Sequence, residues 1–358
     1  MKQVFVRIKP YIRWFVLGIV WFFLAKTIKD RFSEVLTLKI DAQGGVVLAV
    51  ALLITIVAHI WSAWVWTKIV KMFQQPLNTQ EGIVIYLTTN LAKYSPGNIW
   101  HFYGRIAAIT SRGGDKGAAI VSVVLEPLLM AAAALAIGSL AISLNWGIVP
   151  DYSNIVPYFK KVAEWVSGGN ITLTSFNISL ILQIIGNISL VLVLIGIHPR
   201  ILNKLLHRLS RNKSKGETKE ITTIKLTTYP WKPFLGEIGF IIWRGLGFIL
   251  TFTALQPIVW QQIPQLTSAF AFAWLLGLIV PGAPGGLGVF EFTAYSLLNN
   301  SQFPTEIAAV GLYRLISILA EAIAALIGGG LSKTRSQESG VRSQESGVRS
   351  QESGDRSS

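Results

Sequence analysis

Residues 281–292 read PGAPGGLGVFEF and lie within some of the most apolar sequence of the chain. Proline removes a backbone donor and glycine weakens a helix, so this stretch cannot simply continue a membrane helix. Glu291 adds a carboxylate where hydrocarbon is expected, at a cost of several kcal/mol unless it is paired or wetted. Irregular backbone at membrane depth is tolerated only where protein surrounds it or it lines a wet cavity. The glycines alone fit two accounts: close packing of a second backbone, or a concavity of N–H groups suited to an anion. Close packing leaves Glu291 unexplained.

The flanks identify the class. Half of the residues are hydrophobic (51%) and only 14% are charged, too few charges to cover a soluble protein of this length. Six apolar runs, Tyr11–Ile28, Gly45–Trp66, Ala118–Leu144, Ile178–Ile197, Pro233–Trp260 and Ile307–Leu331, are each near or above the roughly 20 residues that cross a bilayer as a helix. Two more, Gly82–Arg105 and Leu266–Asn299, are apolar but interrupted by Pro and Gly. The expected fold is all-α: a polytopic transmembrane helical bundle with about six full spans plus two broken or re-entrant segments, up to eight spans if both cross. Residues 1–332 form one transmembrane domain in this scheme. The N-terminal basic cluster before an apolar run resembles a signal peptide but lacks a small-residue cleavage site, so it is taken as a first helix that stays.

Charge placement orients the chain. Residues 199–232 form a basic loop, with nine Lys/Arg between Arg200 and Lys232 against Glu217 and Glu220. Excess positive charge between spans marks the cytoplasmic side, and such a loop also attracts anionic headgroups. Its position between two apolar runs argues against nucleic acid as the partner. The basic N-terminus and Lys333 and Arg335 after the last run place both termini in the cytoplasm of a cell whose cytoplasmic membrane holds the protein. Segment 82–105 then enters and leaves from inside, and segment 266–299 from outside. Opposed broken segments point to an inverted repeat with a site between its halves. The charges follow suit: Arg105 precedes Glu126 by 21 residues, and Glu291 precedes Arg314 by 23, with signs exchanged. From Lys333 the chain becomes RSQESGV-type heptads without an apolar seam, expected to be a disordered tail over 333–358.

Two groups of residues carry the candidate chemistry. In LAKYSPGNIWHFYGR (91–105), Pro96 and Gly97 end one helix, and Asn98 or Ser95 is placed to cap the next. A helix start holds anions through free N–H groups. Lys93 and Arg105 flank it, and Tyr94 and Trp100 supply rings suited to headgroup depth. The other account of this stretch is an interfacial hairpin that only anchors the fold. The second group is the set of charges within apolar runs: Glu126, Glu237, Arg244, Glu291, Arg314 and Glu321, with Arg105. Unpaired and central, they would cost on the order of 20 kcal/mol together, so mutual pairing around a polar interior is expected. Glu237 and Arg244 share one helix face, as do Arg314 and Glu321. Such pairs fit a static network locking helices together, a gated path for a polar group, or both.

Enzymatic machinery is absent from the sequence. There is no phosphate-binding loop, zinc-ligand helix or nucleophile elbow. The chain has no cysteine, and its four histidines lack metal-ligand spacing. Neither a metal nor a cofactor is expected.

KYSPGNIWHFYGR followed by VLEP, then PGAPGGLGVFE and a late YR, resembles the membrane region of lysylphosphatidylglycerol synthases (multiple peptide resistance factors) and of related stand-alone flippase-like proteins. The resemblance covers roughly residues 10–332. It implies a module that moves lipid between leaflets without the soluble aminoacyltransferase domain, hence no enzymatic activity. The pattern falls on Tyr94, Pro96, Gly97, Trp100 and Arg105, and on Pro284, Gly285, Gly286, Gly288 and Glu291, with Glu126 and Arg314 as further matches. Implied partners are membrane lipids: an anionic or aminoacylated phospholipid, or a polyprenyl-linked lipid. The alternative is a non-transporting membrane partner of a separate glycosyltransferase or lipid synthase.

Overall fold

The computed structural model describes residues 40–95, 98–144, 156–167, 175–211, 226, 228–280, 283–298 and 305–355. The run 11–28, and Pro96 and Gly97, therefore lie outside the described residues. All regular structure within them is helical. In chain order the helices are α1 (Ala42–Met72), α2 (Thr79–Asn90), α3 (Trp100–Thr110), α4 (Lys116–Ser143), α5 (Val156–Ser167), α6 (Ser175–Gly196), α7 (Pro199–Arg211), α8 (Trp231–Thr253), α9 (Ile263–Ile279), α10 (Val289–Leu298) and α11 (Glu306–Asp355). Short 3-10 turns occupy Leu91–Tyr94, Trp260–Gln262 and Pro284–Gly286.

Five stretches are long and apolar enough to cross a membrane: α1, α4, α8, Trp260–Ile279 and Glu306–Ser332. They make this a multi-pass membrane protein. Local chemistry sets their ends. Asp41 caps α1 by accepting from the Gly44 N–H, and Asp115 caps α4 by accepting from Ala118 N–H. Asn78 caps α2 through Glu81 N–H. Pro127 sits inside α4, which nevertheless continues unbroken to Ser143.

The two interrupted segments differ in form. Helices α2 and α3 hold 12 and 11 residues, about 18 and 16 Å at 1.5 Å per residue, each roughly half a hydrocarbon core. They form a hairpin around the Leu91–Tyr94 turn. In the second segment α9 is full length with its preceding turn, and only α10, with 10 residues, is short. The second segment is thus a full-length helix followed by a short one: no Pro or Gly interrupts residues 265–276, so nothing stops α9 before the glycine-rich stretch. Helix α11 runs on through the repetitive segment to Asp355; Arg, Gln and Glu are good helix formers, and glycine recurs only once per heptad.

Helices α1 and α8 form the central pair and run antiparallel. Gly44 lies by the Ala254 carbonyl, Gly247 by Thr55, Gly239 by Trp61 and Gly236 by Val65. Trp61 Nε1 donates to the Gly236 carbonyl across the pair at 2.7 Å. Around it, α2 packs on α11 while α9 packs on α4, and α1 meets α11 while α8 meets α4. These helix–helix contacts between the segments α1–α4 and α8–α11 thus match in pairs under exchange of the segments. The Leu91–Tyr94 and Pro284–Gly286 turns touch each other, bringing the two broken segments together.

A Cβ at Gly236 would lie 2.6 Å from Val65 Cγ2, so Gly236→Ile must push α1 and α8 apart. The expected cost is about 1–3 kcal/mol, read as a lower unfolding midpoint of the purified protein. An unchanged midpoint would contradict the close crossing.

Candidate functional site: a cationic chamber between the broken helices

Where the two turns meet, a cavity of about 380 Å³ opens between α1, α2, α3, α4, α8, α9 and α11. That volume falls in the roughly 300–1,000 Å³ range of small-ligand sites. Its charged lining is Lys93, Arg105, Arg244 and Arg314 against Glu126 and Glu321. Backbone of Gly285 and Gly286 contributes another wall.

The backbone there needs glycine for stated reasons. Gly285, Gly286 and Gly288 have φ of 58°, 75° and 83°, a region that costs side-chain-bearing residues. Gly285 also faces the Tyr94 ring, which a Cβ would meet at 2.6 Å, and Gly286 abuts the Gly277 backbone of α9. Two charged side chains then hold the turn. Arg314 donates to the Gly285 carbonyl. Glu291 accepts from the Gly288 N–H at 2.7 Å and pairs with Arg314 at 3.3 Å. Glu291 therefore both caps α10 and neutralises Arg314.

The first broken segment is organised in the same way. Arg105, 1% exposed, pairs with Glu126 at 2.5 Å and lies over the Tyr86 ring at 3.7 Å from its centroid. Arg105 also reaches Asn90 at 3.5 Å. Lys93 binds Glu321 at 2.8 Å. No side chain caps α3, however: Asn98 adopts a left-handed conformation (φ 51°) and Ile99 occupies the N-cap position.

The pairing is between helices. Arg244 does not pair with Glu237; it contacts His59 Nε2 at 3.0 Å and donates to Ser317 at 3.2 Å. Arg314 does not pair with Glu321, which goes instead to Lys93 and to His59 at 3.5 Å. Residues two turns apart on one helix share a face but lie about 10 Å apart along the axis, so partners on facing helices win. Of the four cavity cations, Arg244 alone has no carboxylate within 4.0 Å among the described residues.

Other predicted site residues sit elsewhere. Trp100 is exposed beside Tyr103 and does not line the cavity. Pro284 shapes the turn without reaching the cavity, and Gly288 and Glu291 line a second pocket of about 280 Å³ with Phe292, Tyr295, Ile307 and Val310. Glu237 is buried, and neither carboxylate oxygen has a hydrogen-bond partner among the described residues. Sequence reasoning missed His59, Tyr86, Asn90 and Ser317. The signal existed for α1, where Thr55, His59 and Ser62 recur at helical spacing and are all buried.

Apolar side chains share the lining of the cavity with these charges. Ile99, Phe102, Met130, Trp274, Leu278 and Val280 line it, and Ile99 is 45% exposed while Arg105 and Arg244 are 1% and 3% exposed. Arg105 Nε, Arg244 Nε, Asn98 Oδ1 and His101 Nδ1 are buried without a hydrogen-bond partner among the described residues. Such a site offers hydrogen bonds and positive charge to a polar group and apolar contact to whatever carries it. Neither a protein-family model nor a curated protein matches the chain.

Breaking one partner of a buried pair leaves an uncompensated charge at about 3–5 kcal/mol, whereas an apolar replacement of both is near neutral. Glu126→Leu is therefore expected to lower stability markedly, and Arg105→Met combined with Glu126→Leu to restore most of it. Equal losses in single and double variants, measured by unfolding in detergent, would contradict the pairing.

Proposed function

We propose that the protein carries lipid headgroups between membrane leaflets, with the cavity as the headgroup site. The observation that carries this reading is Arg244: a buried cavity cation without a carboxylate partner among the described residues, in a lining that also contains apolar side chains such as the exposed Ile99. An amphiphile with an anionic head and acyl chains is complementary to both parts. Lys93, Arg105 and Arg314 add positive potential, although each already has a carboxylate. The Gly285–Gly286 backbone lines the wall that the head would meet, and the Tyr94 ring packs against Gly285.

In this reading the two halves form an inverted repeat, supported by the matching helix contacts and by the sign-exchanged Arg105–Glu126 and Glu291–Arg314 pairs. Inversion would let the broken segments approach the cavity from opposite leaflets, with the basic 199–232 loop facing the cytoplasm. The motif resemblance to flippase-like membrane modules points the same way. The paired charges would act as a gate by exchanging partners as one side opens and the other closes.

The test is leaflet exchange of fluorescent phospholipids in proteoliposomes. Arg244→Gln removes a charged contact of about 1.5–3 kcal/mol, so exchange of anionic lipid is expected to fall about 10- to 100-fold while the fold persists. Wild-type protein inactive toward every lipid class, or an Arg244→Gln variant as active as wild type, would overturn the reading. A co-purifying lipid-modifying enzyme with exchange absent would favour the non-transporting partner role.

A further inference from the structure

Helix α3 presents two different faces. Trp100 and Tyr103 lie exposed on one, their rings 6.0 Å apart. His101 and Arg105, four residues apart, share the other. Both line the chamber, together with Asn98 just before the helix. Arg105 is committed to Glu126. Its two neighbours are polar and uncommitted: Asn98 Oδ1 and His101 Nδ1 are buried, and neither has a hydrogen-bond partner among the described residues. His101 as a whole is 8% exposed.

Buried polar atoms are normally hydrogen-bonded, so these two call for a partner that enters the chamber. The Asn98 oxygen only accepts and therefore needs a donor. An imidazole nitrogen donates or accepts according to its tautomer. A hydroxyl answers both, because it donates one hydrogen bond and accepts others. An ammonium group also donates, but the chamber repels it. Lys93, Arg105, Arg244 and Arg314 stand there against Glu126 and Glu321, and they still outnumber the carboxylates when Glu291, the partner of Arg314, is counted. A fully methylated ammonium or a plain alkyl ester offers the Asn98 oxygen no donor at all.

We propose that Asn98 and His101 form a hydroxyl-recognising subsite beside the cationic one, and that the ligand is a phosphate ester whose head carries hydroxyl groups, of the polyol or sugar kind, rather than an amine. This rests on the headgroup reading above and names the chemical class of the head. The anionic phosphate meets Arg244, and the hydroxyls beyond it meet Asn98 and His101. Both sets of residues line one cavity of about 380 Å³, so a single head serves both. Of the lipids that the motif resemblance implies, the aminoacylated kind fits this lining least.

Isothermal titration calorimetry of the purified full chain with short-chain lipids tests this without a transport assay. Phosphatidylglycerol and phosphatidylmethanol carry the same single charge and differ in the hydroxyls of the head. The wild type is expected to bind phosphatidylglycerol about tenfold more tightly, the worth of one or two ordinary hydrogen bonds, and phosphatidylethanolamine more weakly than either. His101→Phe keeps a ring without its nitrogens, and Asn98→Gly keeps the left-handed backbone without the amide. Each is expected to bring the ratio of the two affinities down toward one. His101→Gln retains a donor and an acceptor; it should keep part of the ratio, and it covers a His101→Phe chain that does not fold. Equal affinities in the wild type would assign both atoms to water and overturn the subsite. A ratio that His101→Phe and Asn98→Gly leave unaltered would do the same, as would tighter binding of phosphatidylethanolamine. Binding of neither anionic lipid would overturn the headgroup reading and the subsite with it. Glycerophosphoglycerol bound as tightly as phosphatidylglycerol would make the ligand a free solute, which contradicts the lipid reading alone.

Discussion

A peptide group that has lost its helical hydrogen bond cannot face hydrocarbon, and this structure follows from that constraint. The chain interrupts its helices at Leu91–Tyr94 and Pro284–Gly286, and the two interruptions are placed against each other rather than against lipid. Close contact requires glycine on one side: the Tyr94 ring lies where a Cβ of Gly285 would be. Open backbone also needs partners, and charged side chains supply them, with Arg314 on the Gly285 carbonyl and Glu291 on the Gly288 N–H. Broken helix, glycine and buried charge are thus one feature seen three ways.

Once charges enter the interior they must be balanced. The main pairs tie a broken segment to the helix that follows it: Arg105 with Glu126, and Glu291 with Arg314. A third set, Lys93, Glu321, His59 and Arg244, joins the first hairpin to α11, α1 and α8. These contacts knit both halves around a common chamber. They also leave it with more cations than carboxylates on its wall, and that surplus is what an anionic group would meet.

Much of this was legible in the sequence because membrane burial makes exceptions conspicuous. The runs later seen as α1, α4, α8 and α11 stood out by length and apolarity, and PGAPGGLGVFE stood out by violating both. Arg105–Glu126 and Glu291–Arg314 were visible as paired exceptions. The partners of Arg244 and Glu321 were not, because pairing across helices depends on rotation and on which helices are neighbours. His59 looked like a lone histidine in an apolar helix until α8 and α11 brought Arg244 and Glu321 to it. Cap placement at α3 also escaped sequence reasoning: Asn98 has a capping side chain but a left-handed backbone.

The central claim, that the two interrupted segments meet inside the bundle, is open to one direct measurement. The chain contains no cysteine, so Tyr94→Cys with Leu287→Cys gives a pair without background. Tyr94 and Leu287 belong to one small packed cluster with Ile318. A short bifunctional thiol reagent applied to the protein in membranes should link the two within one chain. Cysteines that are each labelled singly and never joined would mean that the turns lie apart, and the chamber described here would not exist.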